Sequence, residues 1–439
     1  MNAKKLKEGC IMKKLKAILG FSLSIFILFV TASNVNAITA WGRKYGVSCN
    51  VCHIAGYKLT YAGQQFLRHG HQLPGAESKE ANMSDYFSIT MKIRAWDKNT
   101  TVQQSGTADA ITTKNSFEAH ALSVYSGGPL DSGFTYFTEM YLHENERKNP
   151  AENYEATESD MGDWARSKLA EAYLQYGYEK DDLYFTARAG RIMPWLIHLH
   201  GGGARLEYSR PLPLTSTVGD NPYRPFSRQF GVGAGVGYGE LFFEAGVVNG
   251  TGKYENTVEI GTDKAKDIYA SLDYSIGDNG SMVGLYYYNG QYPLDLSYIQ
   301  KDLTTLKKAE TADKFNQIGI MGQYVAEYGA LIAAYFNGSD SYTPLNGTSE
   351  TTYKSQSYYA ELQGYFNDGA LSPYLRWEYF DPDTDKSDSS EKSGPVLGIH
   401  WKPFEHGRFV LEASNYTTAN SSTKKTIERD ITLEVQFMF

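Results

Sequence analysis

The sequence predicts an all-β transmembrane barrel of about sixteen antiparallel strands, preceded by a small, partly helical N-terminal unit. Three observations carry that reading. Segments of about ten residues alternate apolar and polar side chains. The connectors between them alternate short and long. The N-terminus has the form of an export leader. Composition fits: 34 Tyr and 42 Gly stand against 6 Trp. Mean hydropathy is −0.44, low because a barrel strand shows lipid only one side chain in two.

In chain order, residues 1–37 read as a signal peptide. Lys4, Lys5, Lys7, Lys13, Lys14 and Lys16 form a basic leader, Ala17 to Val30 is apolar, and Val35 and Ala37 supply small residues at a cleavage site. Met12 is an alternative start, and a retained signal anchor is the alternative to cleavage. Without the leader the chain holds 36 basic and 49 acidic residues, a net of −13, which disfavours nucleic acid as a partner.

Residues 38–85 form the N-terminal unit. Tyr61 to Leu73 reads as a short helix. Of three cysteines Cys10 leaves with the leader, so Cys49 and Cys52 remain, in Cys49-Asn50-Val51-Cys52-His53. In an exported chain this is the attachment pattern of one c-type haem: two thiols add across the vinyl groups and the adjacent imidazole is the proximal iron ligand. A disulfide is the alternative. A structural zinc site needs about four ligands, and there is no second Cys pair. The unit is too small to bury a haem alone, so the barrel wall or its loops must complete the pocket.

Residues 86–439 form the barrel. Phe87, Ile89, Met91, Ile93 and Ala95 interleave with Ser88, Thr90, Lys92 and Arg94. Strand centres fall near Thr90, His120, Phe137, Tyr173, Ala187, Gly233, Glu244, Leu272, Gly284, Gly319, Ala333, Glu361, Leu375, Gly398, Leu411 and Leu433. Short connectors at 179–182, 277–280 and 367–369 have Asn/Asp/Gly turn chemistry. Long ones run near 144–165, 194–228, 250–264, 293–313 and 337–354. Segregated loop lengths are the outer-membrane arrangement, and the terminal Phe439 resembles an outer-membrane assembly signal. The 194–228 loop is expected to fold into the lumen, where irregular backbone is tolerated. Its His198 and His200 would share a face if extended, either binding a metal, reaching the haem or merely wetting the loop. Lys92, Arg94, Glu118, His120, Glu139, Arg188 and Arg191 are expected to point inward as ordinary lumen polarity.

The stretch Trp41-Gly42-Arg43-Lys44-Tyr45-Gly46-Val47-Ser48 before the Cys motif, with Tyr61 to Phe66 and Gly70-His71-Gln72-Leu73-Pro74, resembles the fused monohaem cytochrome–porin family. That resemblance implies one haem c on a short domain fused to an outer-membrane barrel. It also implies electron uptake from extracellular Fe(II), as a ferrous iron:cytochrome c oxidoreductase would perform, with delivery to periplasmic c-type cytochromes. Two positions depart from the family pattern: no Pro precedes Lys58-Leu59-Thr60, and His71 stands where an aromatic is common.

The sixth iron ligand is open. Candidates are His71, His69 and Met83, then Met91, which occupies an apolar strand position, or a loop residue; a site with no sixth ligand is the remaining alternative. An even strand count puts both barrel ends at the periplasmic face. The apolar band is about 25 Å tall, so a haem in the lumen, plugging it with residues near 49–74, or further carriers must shorten the path. Export of electrons to an external acceptor, and a solute porin with a haem gate or sensor, are the competing functions. No nucleophile triad, phosphate loop or paired-carboxylate motif can be placed, so any activity is redox chemistry of the cofactor.

Overall fold

The computed structural model describes residues 39–73, 86–144, 168–250, 266–293, 312–342 and 351–438, apart from positions 131, 220, 388 and 405. The leader, its cleavage site, Met83 and most of the long connectors lie outside them. Sixteen strands close into one antiparallel barrel. They are β1 (Phe87–Gln104), β2 (Ala110–Pro129), β3 (Phe134–Glu144), β4 (Lys168–Lys180), β5 (Leu183–Ile192), β6 (Gln229–Tyr238), β7 (Leu241–Val248) and β8 (Asp267–Ile276). The second half comprises β9 (Ser281–Pro293), β10 (Ala312–Ala326), β11 (Gly329–Tyr342), β12 (Thr351–Gly364), β13 (Leu371–Asp381), β14 (Glu391–Phe404), β15 (Gly407–Ser421) and β16 (Lys424–Met438). Each of the sixteen expected centres falls inside its strand. Closure is the β1–β16 ladder, from Thr90↔Met438 to Gln104↔Lys424.

Alternation sorts the two faces. On β13, Leu375 and Trp377 are 53% and 50% exposed, whereas Arg376 and Glu378 are fully buried. The apolar face therefore points outward and the charged face into the lumen, the reverse of a soluble sandwich. The short turns carry the positive φ that tight hairpins need, at Asp181 and at Asn367, Asp368 and Gly369. Loop lengths depart from expectation in three places. The β1–β2 and β15–β16 connectors are short although they lie at the long-loop end, because these strands continue pairing to Val102↔Ala110 and Ser421↔Lys424. The 337–354 connector also shrinks, since β11 and β12 pair out to Tyr342↔Thr351.

Two pieces of irregular chain occupy the lumen. The loop after β5 begins with α3 (Trp195–Ile197), a wide helical turn (His198–Gly202) and α4 (Leu212–Thr215). Leu196, Ile197 and Leu206 are fully buried. Wall carboxylates hold its backbone. Glu244 accepts from Trp195 N–H at 2.9 Å, Glu412 from Tyr208 and Ser209 N–H at 3.1 and 3.2 Å, and Glu378 from Leu212 N–H at 2.9 Å.

The second piece is residues 39–73, with α1 (Thr39–Tyr45) and α2 (Tyr61–Arg68). The expected helix ends at Arg68, not Leu73, because Gly70 and His71 take left-handed φ and turn the chain. This segment touches the wall around its circumference near the short-turn end. Trp41 Nε1–H donates to Gly127 O (3.2 Å), Gln64 to Gly280 O (3.0 Å), Lys58 Nζ to Gln323 (3.1 Å) and Tyr61 N–H to Asp278 O (3.3 Å). Gln436 donates to the Tyr57 hydroxyl.

A buried charged tie is the Arg68–Asp273 pair at 2.5 Å, with the Arg68 guanidinium 4.4 Å over the Phe242 ring. Removing one member of such a pair strands the other charge, at a cost of about 3–5 kcal/mol. Arg68→Leu should therefore loosen residues 39–73 while the barrel stays folded. Limited proteolysis should release an N-terminal fragment from the variant at protease levels that spare the wild type; equal protection would contradict this.

Candidate cofactor site

The Cys-rich turn is built by short-range hydrogen bonds. Extended Ser48 leads into a 3₁₀ turn, Cys49–Val51. Cys52 and His53 N–H both donate to Cys49 O, at 3.1 and 2.8 Å, so both sulfurs and the imidazole belong to one turn. Beyond it, His53 bridges to Leu59. Thr60 ties the turn to α2: its hydroxyl donates to Val51 O (2.6 Å) and accepts from Gly63 N–H (3.1 Å) as N-cap. A Cβ at Gly63 would lie 2.2 Å from Cys52 O, so only glycine lets α2 approach the turn this closely.

Cys49, Cys52 and His53 line a partly open cavity of ≈ 260 Å³ bounded by the barrel wall and the two lumenal segments. Aromatic rings surround it: Trp41, Phe66, Tyr125, Phe137, Tyr173 and Trp195. The two cysteines are thiols, not a disulfide. His53 Nδ1 is buried without a hydrogen bond. Burial, with Lys402 nearby, pushes the His53 imidazole down to about 4, against the opposing backbone of Tyr57 and Lys58. It is thus neutral at pH 7, the form that donates a lone pair to a metal. Two thiols, a neutral imidazole and an aromatic-walled cavity form a donor set that could hold a c-type haem.

Of the sixth-ligand candidates, the structure brings His71 to this cavity. Its left-handed φ of 62° aims the ring between Trp41 and Phe137, with centroids 4.6 and 4.7 Å away. Its Nδ1 is buried and unpartnered. Burial first, then His198 and Arg188, pushes its imidazole down to about 3. His69 faces elsewhere: it caps α2, stacks on Tyr184 at 3.7 Å, and holds Nδ1 2.8 Å from Gln65 O. Met91 pairs with Leu122 and Phe437 and does not line the cavity.

His198 and His200 do not share a face. The chain is wound between them and kinks at Gly201, φ 108°. His198 lines the cavity, its ring lying where a Cβ on Gly203 would meet it at 2.3 Å. His200 is buried away from it, both ring nitrogens unpartnered. Of the expected inward charges, Lys92, Arg94, His120 and Glu139 line the cavity, and Arg188 pairs with Glu244. Glu118 sits 3.5 Å from His120. Arg191 is the exception. It shares parity with exposed Leu183 and Phe185, and its guanidinium donates to the carbonyls of Leu169 and Ala170.

Arg205, Arg210 and Arg228 also line the cavity and were not singled out by motif or alternation. A signal existed: residues 194–228 hold four Arg against two acids in an acidic chain.

The histidines set a pH dependence. Unfolded, His53 and His71 titrate near 6.5; folded, burial holds them near 4 and 3. The unfolded segment binds more protons between these values, so seating is fully stabilised above about 6.5 and weakens as pH falls. In a Cys49→Ala/Cys52→Ala protein, protease sensitivity of residues 39–73 should therefore rise from pH 6.5 toward pH 4. His71→Phe should flatten that profile; an unchanged profile would contradict the assignment.

Among solved structures, the chain is similar to the outer-membrane channel DcaP of Acinetobacter baumannii, at 10% identity over 80% of this chain and 97% of that one, with a TM-score of 0.50. It also aligns with OmpT of Vibrio cholerae (10% identity, 83% and 100% covered, TM-score 0.48) and an anion-selective porin from Comamonas acidovorans (11%, 80% and 100%, 0.48). No protein-family model matches the chain, and no curated protein matches it. At such identities the DcaP likeness bears on fold alone: the chain has a porin-like closed β-barrel.

Proposed function

We propose that this chain is an outer-membrane electron-transfer protein carrying one haem c on Cys49, Cys52 and His53 inside its barrel. It takes electrons from extracellular Fe(II) and passes them to periplasmic c-type cytochromes. One observation carries the reading: the thiols and imidazole of a haem-attachment motif open into an aromatic-walled cavity within a closed cylinder whose outer face is apolar. The leader, and the resemblance of residues 41–74 to monohaem cytochrome–porins, support it.

When bound, haem supplies a one-electron couple. The protein's part is to hold, orient and enclose it. Cys49 and Cys52 fix the position. His53 is kept neutral by burial. His71, packed between Trp41 and Phe137, lines the same cavity as His53 and would be a second imidazole able to hold the iron. A solute porin is the reading that fold likeness alone would favour. Against it, residues 39–73 and the 194–228 loop fill space that a solute path needs.

The test is a stopped-flow visible spectrum of purified protein mixed with Fe(II). The wild type should show rapid haem reduction and His53→Ala a lost or altered band. Indifference to Fe(II), with reoxidation by external acceptors, would reverse the direction of flow. A redox-silent, strongly conducting barrel would favour the porin. In the same preparation His71→Phe should turn a six-coordinate low-spin spectrum into a five-coordinate one; if only His198→Phe does so, the loop histidine is the ligand.

A further inference from the structure

The cavity that holds the Cys-His motif is rich in cations. Lys92, Arg94, Arg205, Arg210, Arg228 and Arg408 line it, against Glu139 and Glu171. Arg228 takes both of those carboxylates, at 3.0 and 2.6 Å, and Arg94 takes Glu434 at 2.7 Å. Arg408 turns its guanidinium to the carbonyls of Leu206 and Glu207 (2.5 and 3.1 Å), to Gln436 and to the Tyr57 ring.

Arg205 and Arg210 differ. Neither has an ion-pair partner among the described residues. Arg205 donates through Nε and Nη2 to Tyr208 O, at 3.4 and 3.2 Å, and Arg210 through Nε to Gly202 O, at 2.7 Å. Arg205 Nη1 and both terminal nitrogens of Arg210 have no acceptor there. The backbone between these residues is fixed from the wall, since Glu412 accepts from Tyr208 and Ser209 N–H. Arg210 also lies 4.8 Å over the Phe226 ring. Glu434 and Glu207 act on Arg205, and Glu139 on Arg210, only through space, so two guanidinium groups are held in place with open donors and no ion pair among the described residues.

We propose that Arg205 and Arg210 form the cavity's carboxylate site and receive the two propionate groups of the tetrapyrrole attached at Cys49 and Cys52. This rests on the haem reading above. Thioether attachment engages the vinyl groups and leaves both propionates ionised, a dianion that must find donors when water is excluded. Arginine forks match carboxylates bidentately. Like-charged neighbours in a confined space are unfavourable until an anion joins them. Consistently, burial and then the Arg205 and Arg228 charges push the Arg210 guanidinium down to about 9. A small free carboxylate or inorganic phosphate in the lumen would offer the same chemistry.

The experiment compares full-length wild type, Arg205→Gln/Arg210→Gln and Arg205→Lys/Arg210→Lys, all in detergent. Each receives a haem stain after denaturing electrophoresis, a heat-modifiability gel for barrel folding, and a spectroelectrochemical midpoint potential with and without added acetate or phosphate. A cation beside the macrocycle disfavours the more positive ferric state. The Gln pair should therefore keep stain and fold but show a lower midpoint, the Lys pair should stay near wild type, and added anions should leave wild type unmoved. A stained, folded Gln pair with an unchanged midpoint overturns this assignment and leaves the haem reading standing. A saturable anion-induced shift in wild type that the Gln pair lacks overturns it in favour of a free-anion site. An unstained wild type overturns both.

Discussion

A cylinder of sixteen strands is too wide to be filled by its own side chains. In this chain the space is taken by backbone, and buried charge holds that backbone in place. Irregular chain inside a barrel needs partners for its N–H and C=O groups. Inward residues of the strands supply them: Glu244, Glu378 and Glu412 cap stretches of the long loop, while Asp273 anchors Arg68. The same residues that make the lumen polar therefore determine where the inserted segments sit.

The site follows from that arrangement. A unit of 35 described residues cannot bury a large planar group by itself. Seated in the barrel, it borrows walls: Phe137 and Tyr125 from the strands, Trp195 and His198 from the loop. Charge is partitioned too. The chain is acidic overall, yet the cavity beside the Cys-His turn is lined by more cations than carboxylates. Arg188 lies 3.8 Å over the Trp195 ring while paired with Glu244, so one cation helps fix both wall and loop.

Strand number, strand centres and barrel closure were legible in the sequence because period-two alternation is local and repeats in every strand. The Cys-His motif was legible for the same reason, since its geometry lies within five residues. What could not be read depends on long-range or irregular geometry. Arg68 meets Asp273 across 205 positions. His71 reaches the cavity through a left-handed φ that a helical periodicity would not assign to it, and that same turn carries His69 away. Arg191 keeps the alternation, on the outward parity of Leu183 and Phe185, so it was its charge and not its register that suggested an inward side chain. Arg205 and Arg210 lie in a loop with no period, where only the excess of arginine over acid marked them.

A haem joined covalently to a barrel protein leaves a signature in the intact mass of the chain purified from outer membranes. The expected species is a polypeptide beginning at Ile38 plus the mass of one haem, with the added mass absent from Cys49→Ala/Cys52→Ala. A bare polypeptide, or one lighter by the two hydrogens of a Cys49–Cys52 disulfide, would contradict it.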